Sequence, residues 1–252
     1  MKIYFLLFLI GFLLVHFCKM MRLYLVLMEH GISFGRFVVM YLETTLVNLI
    51  IPFKIGEAFR ILVISKETNH WQVGILSVLT DRFFDTLALC AILLPVDLYL
   101  YGEPGIITIV FLLVLLLIAI CYLSVLPTYR YLNRYIIMRK HSSRSMAALS
   151  ALDTIKEWFD FTTDLIKGRF ALITMFSFFG WVFEIGTLTA LARYFNIAFS
   201  TGDFIKYIQA IFAFGSSDIL KEYTSTSILL MGIFTFIGVI AILRAKPERK
   251  KA

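Results

Sequence analysis

The run IITIVFLLVLLLIAICYLSVL, from Ile106 to Leu126, constrains the fold more than any other part of the chain. It is longer than the ~18 apolar residues that mark a membrane-crossing helix, and no charge interrupts it. Lipid offers the backbone no hydrogen-bond partners, so a spanning segment must be a helix or a strand of a closed barrel. Barrel strands read as short alternating segments, and this run does not alternate. Composition extends the argument to the whole chain. Of its 252 residues 60% are hydrophobic and 16% charged, whereas soluble domains hold about 45–50% apolar and about 25% charged residues. The expected fold is an all-α polytopic membrane protein.

A net charge of +7 does not point to nucleic acid, because the basic residues cluster beside the apolar segments in the positive-inside pattern. The stretch 128–169 carries Arg130, Arg134, Arg139, Lys140, Arg144, Lys156, Lys167 and Arg169, and the tail carries Arg244, Lys246, Arg249, Lys250 and Lys251. Both are expected in the cytoplasm, against an anionic membrane surface, which gives a multi-pass cell (inner) membrane protein with a cytoplasmic C-terminus. The N-terminal run MKIYFLLFLIGFLLVHF has no small-residue cleavage site after it and reads as a retained first span. Cys18, Cys90 and Cys121 lie in apolar runs, and His16, His30, His70 and His141 are scattered. No metal-ligand spacing and no nucleotide loop appears, so neither a metal nor another cofactor is expected, nor enzymatic chemistry.

Apolar segments fall at about 3–27, 33–52, 72–99, 105–127, 170–193, 204–217 and 224–244. Three of them separate the two cytoplasmic regions 128–169 and the tail, an odd number, and the segment 204–217 is too short to span. A re-entrant hairpin over 196–222 resolves the parity. The basic regions 18–36 and 60–70 present the same problem, and a hairpin over 33–66, turning near Pro52–Gly56, resolves it. About five full spans plus two oppositely oriented re-entrant hairpins then form an inverted repeat, an arrangement known from transporters. The chain is read as one transmembrane domain, 1–252. Its first half is about 1–100, its linking helix 105–127, its amphipathic cytoplasmic segment 128–169, its second half 170–244 and its basic tail 245–252.

The polar residues inside these apolar segments are the candidate site, since ionisable groups in a span face the bundle interior or a water-filled cavity. The first group is Asn48, Pro52, Lys54, Gly56, Glu57 and Arg60. Proline and glycine make a turn, Glu57 and Arg60 are spaced to pair on one helix face, and Lys54 is left as an uncompensated cation suited to an anion. The second is TDRFFD, where Asp81 and Asp85 share a face and Arg82 reaches Asp85. The third is Glu184, between Gly180 and Gly186, with Trp181 read as packing. Glu43, Asp218, Lys221 and Glu222 are weaker candidates. These groups either bind substrate or relay protons, or they form an internal ion-pair network that fixes helix register. The segment 151–170 has the spacing of an interfacial amphipathic helix.

The pattern N-x-x-x-P-x-K-x-G-E-x-x-R followed by D-R-x-x-D, carried by Asn48, Pro52, Gly56, Glu57, Arg60, Arg82 and Asp85, resembles the lysylphosphatidylglycerol synthase transmembrane-region family of flippase-like membrane proteins. Glu184 after Trp181 is a weaker echo. In that family the second half usually has a proline- and glycine-rich tip, whereas this chain reads AFGSSDILKEY, without proline. The resemblance implies translocation of a lipid or a polyprenyl-linked precursor of glycan assembly, and aminoacyl-transfer chemistry is not expected. An anionic headgroup would meet Arg60 and Lys54, with Glu57, Asp81, Asp85 and Glu184 as counter-charges or a proton path. The alternatives are a non-transporting accessory subunit of glycan or lipid assembly, and an intramembrane lipid-phosphate enzyme.

Overall fold

Backbone groups that must find partners within their own segment form helices, and helices account for nearly all of this chain. The computed structural model describes residues 2–51, 55–139, 143–212 and 217–245. Among them the α-helices are α1 (Lys2–Leu27), α2 (Phe34–Ile50), α3 (Ile55–Thr68), α4 (Trp71–Tyr101), α5 (Ile106–Arg139), α6 (Ser143–Ile166), α7 (Phe170–Phe195), α8 (Thr201–Phe212) and α9 (Asp218–Ala245). A 3₁₀ turn, Met28–His30, and Gly31 at φ 71° lead from α1 towards α2. Five helices are long and apolar enough to cross a membrane: α1, α4, α5, α7 and α9. This is a multi-pass membrane protein.

Three boundaries differ from the sequence reading. The linking helix does not stop at 127 but continues through Pro127 to Arg139, because its polar continuation packs on α6. Tyr122 bonds Thr163 at 2.9 Å and Tyr129 donates to Asp153 at 2.8 Å, which makes α5 and α6 an antiparallel pair. The amphipathic segment accordingly begins at Ser143 rather than 151. In the second half, the returning arm expected near 222 and the last span are one continuous helix, α9. The first half keeps them apart as α3 and α4, with Asn69 at φ 57° in the turn between them. The expected hairpin tip at Pro52 to Lys54 lies outside the described residues, as does 213–216 of the segment expected to form a second hairpin.

Lipid tails are as apolar as leucine, so close packing rather than the hydrophobic effect holds such helices together. Glycines provide that closeness. A Cβ on Gly11 of α1 would fall 2.4 Å from Thr187 Oγ1 of α7, and one on Gly74 of α4 would fall 2.5 Å from the Ile61 carbonyl oxygen of α3. Phe8 and Phe12 of α1 are buried with Leu89 and Leu93 of α4, Leu188 of α7 and Met231 of α9. Leu23 and Leu27 pack with Phe37, Met40, Ile64 and Val73 where α1 meets α2, α3 and α4. Val26, Phe84, Leu165 and Ile173 seat α6 against α1, α4 and α7. On α5, by contrast, Leu113, Leu117, Ile120 and Leu123 are exposed, as lipid-facing residues are. The short α8 starts with a capping box, in which Asp203 accepts from the Ser200 backbone N–H and hydroxyl, and these bonds hold its carboxyl down at about 2.

Candidate functional site

Polar side chains enter the apolar bundle at helical spacing from several helices at once. On α1, His16, Lys19 and Arg22 follow one another every three residues along one face. On α2, Tyr41, Thr45 and Asn48 share a face at spacings of four and three, and on α4 Asp81 and Asp85 are one turn apart. Ser177, Trp181 and Glu184 repeat the spacing of four and three on α7, and Tyr223, Thr224 and Ser227 follow within five residues on α9. The described helices leave a cavity of about 340 Å³ between them, with all of these residues except Ser177 in its wall.

At its centre is Arg22, only 3% exposed. Its Nε donates to Asp81 Oδ1 at 2.6 Å, and its Nη1 donates to Asp85 Oδ1 at 2.7 Å and to Ser177 Oγ at 3.2 Å. One planar guanidinium therefore ties α1 to α4 and α7, using the fork geometry that makes arginine suited to buried carboxylates. Arg82 lies on the outer side of the same carboxylates, at 3.4 Å from Asp81 and 3.6 Å from Asp85, and reaches Glu57 of α3 at 3.5 Å. A second centre joins the first half to the second. Lys19 donates to Glu184 Oε2 at 2.6 Å, and Tyr207 of α8 donates to Glu184 Oε1 at 2.9 Å.

Arg60 is placed differently. It is 6% exposed, yet its nearest carboxylate oxygen, on Asp81, is 3.7 Å away, beyond hydrogen-bond distance. Its Nη2 donates to Thr45 Oγ1 at 3.2 Å, its Nε has no hydrogen-bond partner among the described residues, and its guanidinium carbon stands 6.0 Å from the Tyr41 ring. Among the described residues the cavity wall holds four cationic side chains, Lys19, Arg22, Arg60 and Arg82, and three carboxylates, Asp81, Asp85 and Glu184, with Glu57 outside the wall reached by Arg82.

Six of the nine residues singled out from the sequence line this cavity: Asn48, Arg60, Asp81, Arg82, Asp85 and Glu184. Gly56 has a supporting place: a Cβ there would come within 2.3 Å of Asn48 Cα, so its missing side chain lets α2 and α3 close on each other. Lys54 lies outside the described residues. Glu43, Asp218, Lys221 and Glu222 are not in the described wall. The expected Glu57–Arg60 pair is replaced by Glu57–Arg82, because α3 packs along α4 and turns Arg60 inward over Thr45 while Glu57 faces the next helix. Trp181 packs in the core, as expected, and its Nε1 also donates to the Asp85 carbonyl at 3.2 Å while its ring lies 5.8 Å from Lys19 Nζ.

The largest difference is on α1. Lys19 and Arg22, read from the sequence only as part of the basic region 18–36 at the end of the first span, lie inside a helix running to Leu27 and are paired within the bundle. The three-residue spacing of His16, Lys19 and Arg22 was the available signal. Tyr41, Thr45 and the hydroxyls of α9 gave none beyond their own spacing. His16 Nδ1 lies 3.0 Å from the Tyr41 hydroxyl, in the same wall. Among the described residues, no group of three or more His, Cys, Asp or Glu is placed to hold a metal ion.

Residues 1–219 fit the model of the family described as the lysylphosphatidylglycerol synthase TM region, which is most of the chain. No curated protein and no solved structure matches the chain significantly.

Proposed function

We propose that this chain, which belongs to the lysylphosphatidylglycerol synthase transmembrane-region family, binds the anionic headgroup of a membrane lipid or lipid-linked precursor in its polar cavity and moves it across the bilayer. The observation that carries the reading is Arg60. It is a buried guanidinium whose nearest described carboxylate oxygen, on Asp81, is 3.7 Å away, in a described wall with one more cation than carboxylates. Removing a cation from water without a matched partner is unfavourable, and a phosphate arriving with bidentate geometry would offset that penalty. Of the other cations in the described wall, Arg22 and the half-buried Lys19 have a carboxylate at 2.6–2.7 Å, and the more exposed Arg82 has three at 3.4–3.6 Å.

Transport also needs a path for the headgroup, and the short helices supply its elements. At 17, 14 and 12 residues, α2, α3 and α8 are shorter than a span requires. We read the pair α2–α3, and α8 with the first turns of α9, as re-entrant elements of opposite entry around the cavity. Their backbone ends meet the polar interior there rather than lipid. The basic residues of 128–169 and of the tail support reading those segments as cytoplasmic, against anionic lipid of the cell membrane.

The test is lipid movement by purified protein in proteoliposomes, read from the loss of protected fluorescence when an impermeant reductant quenches a labelled anionic lipid. Wild type is expected to expose inner-leaflet lipid, and Arg60→Ala to abolish that exposure while its thermal midpoint stays within a few degrees of wild type. Full lipid movement by folded Arg60→Ala overturns the reading.

A further inference from the structure

Asp97, near the end of α4, is not in the wall of the polar cavity. It lies twelve residues beyond Asp85, about 18 Å further along the helix at ~1.5 Å per residue. From its neighbourhood α5 crosses to the basic stretch 128–169, so the two lie towards opposite faces of the membrane. The side chain is 1% exposed. Its Oδ2 accepts from the Gly105 backbone N–H at 2.9 Å and from the Thr108 hydroxyl at 2.5 Å, which ties the end of α4 to the start of α5. A Cβ on Gly105 would fall 3.0 Å from Oδ2, so glycine lets the carboxylate come this close. Oδ1 is left without a hydrogen-bond partner among the described residues.

Asp97 lines a second, separate pocket of about 10 Å³, room for roughly one water molecule. To its wall α5 adds Ile107 and Thr108, and α8 adds Ile205, Ile208 and Gln209. No other titratable side chain lines it among the described residues, and α1, α3, α6 and α7, which also pack on α4, bring none. On α8 the charged residues Asp203 and Lys206 bond each other outside the wall, and Glu103 of the link is outside it as well. The same short helix also lines the polar cavity, through Ile211 and through Tyr207, which donates to Glu184. One helix thus walls both pockets.

A carboxylate oxygen cut off from both water and donors leaves its charge uncompensated. Ionisable groups held in this way inside a membrane bundle are where proton relays are built. A proton on Oδ1 removes the charge and leaves a hydroxyl beside Ile205 and Ile208. Without that proton the oxygen needs water, which enters when α8 draws back from α4 and α5. We infer that Asp97 is a proton-binding site distinct from the polar cavity, taking its proton from water and returning it there, and that its charge sets how closely α8 packs. Through Tyr207 the movement of α8 reaches Glu184.

Two measurements on the full chain in detergent test this site, and neither involves a lipid, so it is judged apart from transport. Infrared difference spectra between acid and alkaline pH should contain the carbonyl band of a protonated carboxyl that is lost in Asp97→Asn. The band should be unchanged when choline replaces sodium. Hydrogen exchange of the α8 amides, corrected for the intrinsic effect of pH, should be several-fold slower at acid than at alkaline pH in wild type. The amide oxygen of Asp97→Asn can still accept from Gly105 and Thr108, but the side chain carries no charge. In that variant α8 should keep the slow acid-side rate throughout. Identical infrared spectra from wild type and Asp97→Asn would make Asp97 a fixed cap of α5 and overturn the proton site. A band suppressed by sodium and not by choline would make the ligand a metal cation and overturn it too. Exchange of wild-type α8 that does not vary with pH, or a pH response undiminished in Asp97→Asn, overturns the link to α8.

Discussion

Arg22 and Arg60 are both buried arginines near Asp81, and their surroundings assign them opposite roles. Arg22 makes close bonds to two carboxylates and a serine on two other helices, whereas Arg60 makes one bond to a threonine. Arg22→Ala would leave Asp81 and Asp85 in an apolar bundle with only the longer contacts of Arg82 and Arg60, and breaking such a pair costs about 3–5 kcal/mol. Thermal unfolding in detergent should therefore show a large fall in midpoint for Arg22→Ala and a small one for Arg60→Ala. Arg22→Lys should not restore the loss, since a point charge on a flexible stem cannot serve two carboxylates as the guanidinium fork does. Equal midpoints for the two alanine variants would assign both arginines the same structural role. Sequence spacing identified Asp81, Arg82 and Asp85 because an intrahelical spacing survives folding, and Arg82 does reach Asp85 as expected. It failed for Glu57 and Arg60 because three-residue spacing permits a pair without excluding a better partner on the neighbouring helix.

Helices meet closely here only where a residue has no side chain to keep them apart, and the α2–α3 hairpin is the sharpest instance. A Cβ at Gly56 would lie 2.3 Å from Asn48 Cα, a backbone atom that cannot rotate away. Gly56→Ala should push α2 from α3, move Thr45 from Arg60 and open the cavity wall. Overpacking of this kind costs about 1–3 kcal/mol or more. Gly35, near the start of α2, has nothing within 4 Å of the same position, so Gly35→Ala is the control for helix propensity alone. The thermal midpoint should fall for Gly56→Ala and stay unchanged or rise for Gly35→Ala. An unchanged midpoint in both would show that the hairpin accommodates the methyl by moving freely. The glycine was recognisable in the sequence as a site of close approach or turning, but its partner was not, because the partner depends on where the hairpin folds back. The ends of α5 and α9 were misjudged for a related reason. Hydropathy marks where lipid contact ends, and helices continue past that point when another helix, such as α6, covers them.

The two halves of the chain are interleaved around a shared polar interior, with α1 packed along α7 and α2 along α9. Five apolar spans could be read from hydropathy because each is a local property. The convergence of charges could be read only for the motifs, because α1 looked like a span followed by an ordinary basic loop. Lys19 shows what that reading lost. It comes from the first half, Glu184 and Tyr207 come from the second, and their bonds are the described charged link between the halves inside the cavity. If that link positions the halves, its energy belongs to the pair and not to either residue. Lys19→Glu and Glu184→Lys should each place like charges face to face and lower both the thermal midpoint and lipid movement. The double reversal should recover most of the midpoint, with a coupling in the 0.5–3 kcal/mol range of residues in direct contact. Recovery of lipid movement alongside the midpoint would show that the pair acts as a scaffold whose polarity is interchangeable. Recovery of the midpoint alone would show that the substrate meets Lys19 at its own position, as a second cation beside Arg60. A double variant as unstable as the sum of the two single reversals would mean that this pair does not couple the halves, which are then held by their packing and their other polar bonds, such as Arg22 to Ser177.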